Sequence, residues 1–267
     1  MFLLDFVGDM EQTPLLGTIR IALCLVCLLI ASWSDIKTRK VSDKIWILLG
    51  PVGLLLTLLS SYIAGESTLM LLGLSIALMS GLSLALFYLG LIGGADAKAF
   101  ICLALAMPSA PTPPLFGFAQ SLFPLSVFSN GAIAAFLSVF YMLGKNALWT
   151  IRTRSGLFEG IELPLPKKLL AMMTSYKVTV GYARTNEHLR PIEELRIDGE
   201  RVVRNLKLSA KIGDRSEDLK LLDDFARGRS EHDYVWVTPN LPFIVFITAG
   251  FFLSLIAGDL ILLPLVQ

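Results

Sequence analysis

Ala97-Lys98-Ala99-Phe100-Ile101-Cys102-Leu103-Ala104-Leu105-Ala106-Met107, halted by Pro108, is the stretch on which the topology turns. A helix that spans a bilayer needs roughly 20 largely apolar residues, because in hydrocarbon every backbone N–H and C=O must be bonded within the segment. This run is short for that, and by length alone it reads equally as re-entrant. Charge decides between the two. If the run crosses, Lys145, Arg152 and Arg154 fall on the same side as Lys37, Arg39 and Lys40; if it does not, the two basic clusters lie on opposite sides. Lysine and arginine concentrate on the cytoplasmic face, so the run is read as a span.

Working outward, apolar segments of spanning length cover about Leu15 to Trp33, Ile45 to Ile63, Leu69 to Leu89, Ser126 to Trp149 and Leu241 to Leu263. The residues before Leu15 carry Asp5, Asp9 and Glu11, unlike the basic opening of a signal peptide, and are expected to be a short extracellular tail. Gly65-Glu66-Ser67 makes an outer turn. Pro108 to Pro124 forms an outer loop whose Leu115-Phe116-Gly117-Phe118 dips into the interface.

The composition agrees: 54% hydrophobic residues against 17% charged is too apolar for an ordinary soluble domain, and a net charge of +1 argues against nucleic acid as a partner. Most of the charge lies between Arg152 and Asp233. The expected fold is an all-α polytopic membrane protein, with six transmembrane helices and a small α+β cytoplasmic domain inserted between the fifth and sixth. Its boundaries fall at 1–150 for the first five helices, 151–237 for the polar domain and 238–267 for the sixth helix. Within the polar domain, Lys177–Val180 and Arg196–Val203 alternate as strands, with a turn at Asp198-Gly199. Glu217–Ala226 has Leu219, Leu222 and Phe225 at helical spacing, Asp233–Val237 reads as a last strand, and Thr238-Pro239 resembles a helix N-cap followed by proline.

Cys24, Cys27 and Cys102 all lie in apolar segments, so they read as small hydrophobes rather than a disulfide framework. Neither His188 nor His232 has a cysteine near it, both read as surface residues, and no metal or cofactor is expected.

Two carboxylates stand out. The topology places Asp35 at the cytoplasmic end of the first span and Asp96 at the cytoplasmic start of the fourth. An ionisable group at a span is costly enough to suggest function. Two carboxylates at matching depth can share a proton, one activating water while the other polarises a peptide carbonyl. The bland alternative has Asp35 in a solvated charged loop and Asp96 capping a helix. Gly93-Gly94-Ala95-Asp96 lets a peptide backbone approach Asp96 unobstructed, although a helix hairpin can use the same glycines.

Gly93-Gly94-Ala95-Asp96-Ala97-Lys98 resembles the GxGD-type motif of prepilin and preflagellin (archaellin) peptidases, including the lysine two residues past the aspartate. Ser34-Asp35 and the basic run after it, through Trp46, are similar to the first-aspartate region of those enzymes, and Thr238-Pro-Asn-Leu-Pro242-Phe243 is similar to the archaeal branch. Ala95 replaces the third-position glycine, as the looser family pattern allows. The resemblance implies a membrane aspartyl endopeptidase that removes the short basic leader from type IV pilin-like or archaellin precursors at the cytoplasmic face of the cell membrane. Asp35 and Asp96 would be its dyad, and Gly93, Gly94, Ala95, Lys98 and Pro242 its motif residues. The cysteine-rich insert of many bacterial members is absent, which implies cleavage without methylation.

Lys98 points to another helix face than Asp96, where it either snorkels to headgroups or tunes the dyad. Asp43 reads as a loop residue or helix cap, or as a reader of basic leader residues. Arg20 and Asp259, both inside spans, either pair with each other or snorkel separately. Membrane lipid and a precursor protein are the expected partners. A transporter or channel would use carboxylates near mid-membrane within related halves, and no internal repeat is present. A non-catalytic assembly scaffold would tolerate Asp35→Asn and Asp96→Asn.

Overall fold

Apart from Arg20, the chain is free of charge from Leu15 to Ser34, and it forms one long helix, α1 (Phe2–Thr38), which includes most of the residues expected as a tail. The computed structural model describes residues 2–64, 67–110, 114–116, 121–161, 163–186, 188–198, 201–207, 220, 223, 230 and 232–261. Arg39, at φ +54, ends α1 in the left-handed region. There follow α2 (Asp43–Ala64), α3 (Ser67–Tyr88), α4 (Gly94–Ala106) and α5 (Phe123–Thr153). After α5 come α6 (Leu165–Thr174), β1 (Tyr176–Thr179), α7 (Val180–Thr185), β2 (Leu189–Pro191), β3 (Glu193–Asp198), β4 (Arg201–Leu206), β5 (Tyr234–Pro239) and α8 (Phe243–Ala257).

Four segments are long and apolar enough to cross a membrane: Leu15–Thr38, Asp43–Ile63, Leu69–Tyr88 and Phe123–Thr153. Their outward faces carry Val26, Leu29, Ile47, Leu55, Leu74, Leu84 and Phe140, all exposed, as lipid-facing surfaces require. The remaining two expected spans are shorter. α4 has 13 residues, about 20 Å at the rise of an α-helix against a hydrocarbon core of about 30 Å. α8 has 15 residues, and Gly258 stops it at φ +68.

The chain divides into two compact units, Met1–Ala135 with Pro242–Gln267, and Phe136–Leu241. In the first unit α2 and α4 run parallel: Lys98 reaches Asp43 at their starts, and Gly53 meets Ala106 further along. A Cβ on Gly53 would lie 2.5 Å from that of Ala106, so only glycine permits this approach. The buried end of α4 is satisfied by side chains: the Ala106 carbonyl accepts from Arg20 Nε at 2.7 Å and Thr57 Oγ1 at 2.9 Å. That is how a helix too short to reach water on its far side can end inside the protein.

Arg20 therefore neither pairs with Asp259 nor snorkels; it is 4% exposed and holds the end of α4. Asp259 accepts from Ser129 Oγ at 3.0 Å and from the Ile261 N–H at 2.9 Å. α1 and α8 run antiparallel, joined by Ser32 Oγ and Thr248 Oγ1 at 2.7 Å. Cys24, Cys27 and Cys102 are buried and unbridged in the core that these helices share with Phe100, Leu103 and Phe251.

The second unit holds an antiparallel sheet in the order β1-β5-β2 and a separate hairpin, β3-β4. β1 covers the expected strand one residue early, because Thr179 accepts the Tyr182 N–H at 3.4 Å and turns Val180 into α7. Helices α6 and α7 add to what the alternation indicates. Of the helix expected over Glu217–Ala226 only Lys220 and Asp223, both helical, are described; the rest lies outside the described residues, as do Gly65, Glu66, Gly117, Phe118 and Gly199. Buried Trp236 stacks on Phe158 at 5.1 Å, and fully buried Glu193 accepts from Arg204 and from the Trp236 N–H. His232 is exposed and His188 half-buried. The Lys177 ammonium lies 4.1 Å from the Trp149 ring centroid. Burial, with Arg204 nearby, lowers its pKa to about 8.

Thr238 and Pro239 do not open the last helix. They close β5, paired with Arg190 and Leu189. Helical geometry is disfavoured for Leu241 by the ring of Pro242, so α8 starts only at Phe243, with Pro242 as its N-cap.

Candidate active site

Four backbone ends meet at one end of the first unit. α1 finishes there with Asp35, and the parallel helices α2 and α4 start there with Asp43 and with Gly94 to Lys98. The antiparallel α8 also starts there, and the Asp35 carboxylate lies close enough to the Ile244 N–H, in the first turn of α8, to interact with it. A carboxylate at a helix N-terminus is favoured because the first N–H groups have no partner within the helix.

Asp96 is the third residue of α4. Its Oδ2 reaches back 2.8 Å to the N–H of Gly93, the helix N-cap. A Cβ on Gly93 would sit 3.0 Å from that oxygen, and one on Gly94 would sit 3.5 Å from Phe87. Gly90, at φ +73, makes the turn that leads into the motif. Asp96 is 7% exposed whereas Asp35 is half-buried, and the two carboxylates are close enough to act on each other through space. The structure thus brings together Asp35, Asp96, Gly93, Gly94 and half-buried Ala95, with Pro242 at the head of the adjoining helix.

Lys98 faces away from the carboxylates and pairs with Asp43, Nζ to Oδ1, at 2.6 Å across a shallow pocket lined also by Trp46 and Ile47. Both partners are exposed. This assigns Asp43 a role that its sequence context leaves open, and it makes Lys98 a link between α2 and α4. Residue-type reading has no access to the Ile244 N–H, since a backbone donor leaves no mark in the sequence. Among the described residues no three histidine, cysteine, aspartate or glutamate side chains gather as metal ligands.

Residues 22–140 match the type IV leader peptidase family, and residues 167–260 match the Archaeal Peptidase A24 C-terminus Type II. A preflagellin peptidase of Methanococcus voltae is 30% identical over 255 residues, covering 90% of this chain and 96% of the relative. The chain belongs to the type IV leader peptidase family. Preflagellin peptidases of Methanococcus maripaludis and Methanocaldococcus jannaschii are 27% and 28% identical, each covering 88% of this chain and 93% and 92% of their own lengths. In this leader peptidase family member the first matched region contains Asp35, Asp43, the glycine motif, Asp96 and Lys98; the second contains Pro242.

Proposed function

We propose that this chain is an aspartic endopeptidase of the GxGD type that removes the leader from preflagellin or type IV pilin-like precursors. The supporting observation is the convergence of Asp35 and Asp96 at one end of one unit, within electrostatic reach, with Asp96 anchored by the Gly93 N–H and Asp35 facing the first turn of α8. Family membership supports the same reading.

In this mechanism the two carboxyls share one proton. The ionised one takes a proton from water as that water attacks the scissile carbonyl, and the protonated one donates its proton to the carbonyl oxygen. The carboxyl that took the water proton then gives it to the leaving amine as the C–N bond breaks, while its partner recovers a proton from the gem-diol hydroxyl. The anchor from Gly93 holds one oxygen of Asp96 and leaves the other for this work. Gly93, Gly94 and Ala95 offer no large side chain where an extended peptide would lie. We place six helices in the membrane, with the N-terminus outside and both aspartates at the cytoplasmic face beside the basic residues Lys37, Arg39, Lys40 and Lys44.

The test is to incubate the purified protein in detergent with a full-length precursor and read the product by mass spectrometry. A single shortened species is expected. An intact precursor, with ion flux in liposomes instead, would replace the peptidase with a transporter.

A further inference from the structure

Among the cations at this end of the first unit, Lys37 and Lys98 are engaged. Lys37 lies over the Trp33 ring at 4.5 Å, and Lys98 is paired with Asp43. Arg39 differs. It is half-buried, and its Nε and Nη1 are sheltered from solvent with no hydrogen-bond partner. Its backbone N–H closes the last turn of α1 on the Asp35 carbonyl at 3.1 Å, and its φ of +54 is one that a side-chain-bearing residue rarely adopts. Its charge acts on the Asp35 carboxylate, yet no ion pair joins the two side chains. A guanidinium that only ended a helix would hold its donors in water or on the helix's last carbonyls. Sheltered donors without acceptors are costly, and a ligand that supplies the acceptor recovers that cost.

We propose that Arg39 binds the substrate, donating to a backbone carbonyl of the peptide that lies across Asp35 and Asp96. This rests on the leader-peptidase reading above. The acceptor is a carbonyl rather than a carboxylate because Asp35 already offsets the guanidinium's charge. A neutral acceptor satisfies the N–H groups without bringing a further negative charge beside the two aspartates. Such a contact is independent of the residue bound, so it serves positioning rather than choice of sequence.

The experiment compares Arg39→Gln and Arg39→Lys with the unaltered protein, using a full-length precursor. KM and kcat come from cleavage, and Kd comes from binding of labelled precursor in an Asp96→Asn background. Arg39→Gln should raise KM and Kd together by roughly 10- to 100-fold, as loss of a charge-assisted hydrogen bond does, with kcat changed far less. Arg39→Lys should recover part of the loss and carries the test if the glutamine variant does not fold. Unchanged KM and Kd alongside normal cleavage by the unaltered protein would overturn the role of Arg39 alone. So would full recovery by lysine with a shifted pH profile and constant Kd, which would make Arg39 only an electrostatic neighbour of Asp35. Absence of cleavage by the unaltered protein would overturn the leader-peptidase reading and this contact with it.

Discussion

The Asp35 carboxylate lies close enough to the N–H of Ile244 to interact with it, so the last turn of α1 faces the first turn of α8. A residue proposed for chemistry also faces a helix N-terminus, and the two roles separate by substitution. Asp35→Asn keeps an acceptor oxygen and should keep the thermal midpoint. Asp35→Ala removes the carboxylate that faces the N-terminus of α8 and should cost about 0.3–1 kcal/mol. Thermal unfolding of both variants in one detergent checks this.

Gly93 has an ordinary φ of −78, so its substitution acts through contact and not through backbone strain. The added Cβ of Gly93→Ala would press on Asp96 Oδ2 from 3.0 Å and tilt the carboxyl. We expect kcat/KM for the precursor to fall by about 10- to 100-fold, the scale set by sub-ångström to 1 Å misplacement, with stability nearly unchanged. Steady-state kinetics on the purified variant reads both parameters.

Gly53 is a packing position. Valine there must displace Ala106 and, with it, the end of α4 that Arg20 and Thr57 hold. Gly53→Val is expected to destabilise by about 1–3 kcal/mol or more, as overpacking does, whereas Gly73→Val, where an added Cβ meets nothing, should not. A denaturant titration in detergent distinguishes them.

Lys177 predicts a pH dependence in the second unit. Its folded pKa of about 8 lies below the reference value of 10.5, so between these values the unfolded chain binds more protons and stability rises with pH. Below that window both states are protonated and the penalty of the buried ammonium is constant. Lys177→Met should raise the thermal midpoint at pH 7.5 and reduce its increase between pH 8 and 10. A midpoint series across that range, variant against unaltered protein, reads the difference.

Much of this architecture is legible in the amino-acid order. Long uncharged runs mark α1, α2, α3 and α5, and alternation marks β1, the hairpin and β5. The approach of Asp35 to Asp96 follows from charge asymmetry, which sets both at one end. What escaped is set by partners distant in sequence. The length of α4 depends on Arg20 and Thr57 reaching Ala106, and the pairing of Lys98 depends on where α2 begins. Thr238-Pro239 carries the local signature of a helix start, but strand pairing with Leu189 and Arg190 prevails, and the second proline delays the helix. Arg39 looks like any member of a basic loop until its donors are found sheltered.

The shared-proton dyad is tested most directly by precursor cleavage with Asp35→Asn, Asp96→Asn and the double variant, each checked for folding. If the two carboxyls act as one unit, each single variant should lose at least about 1,000-fold in kcat, and the double variant should be no worse than either. Cleavage that persists in either single variant would contradict the account.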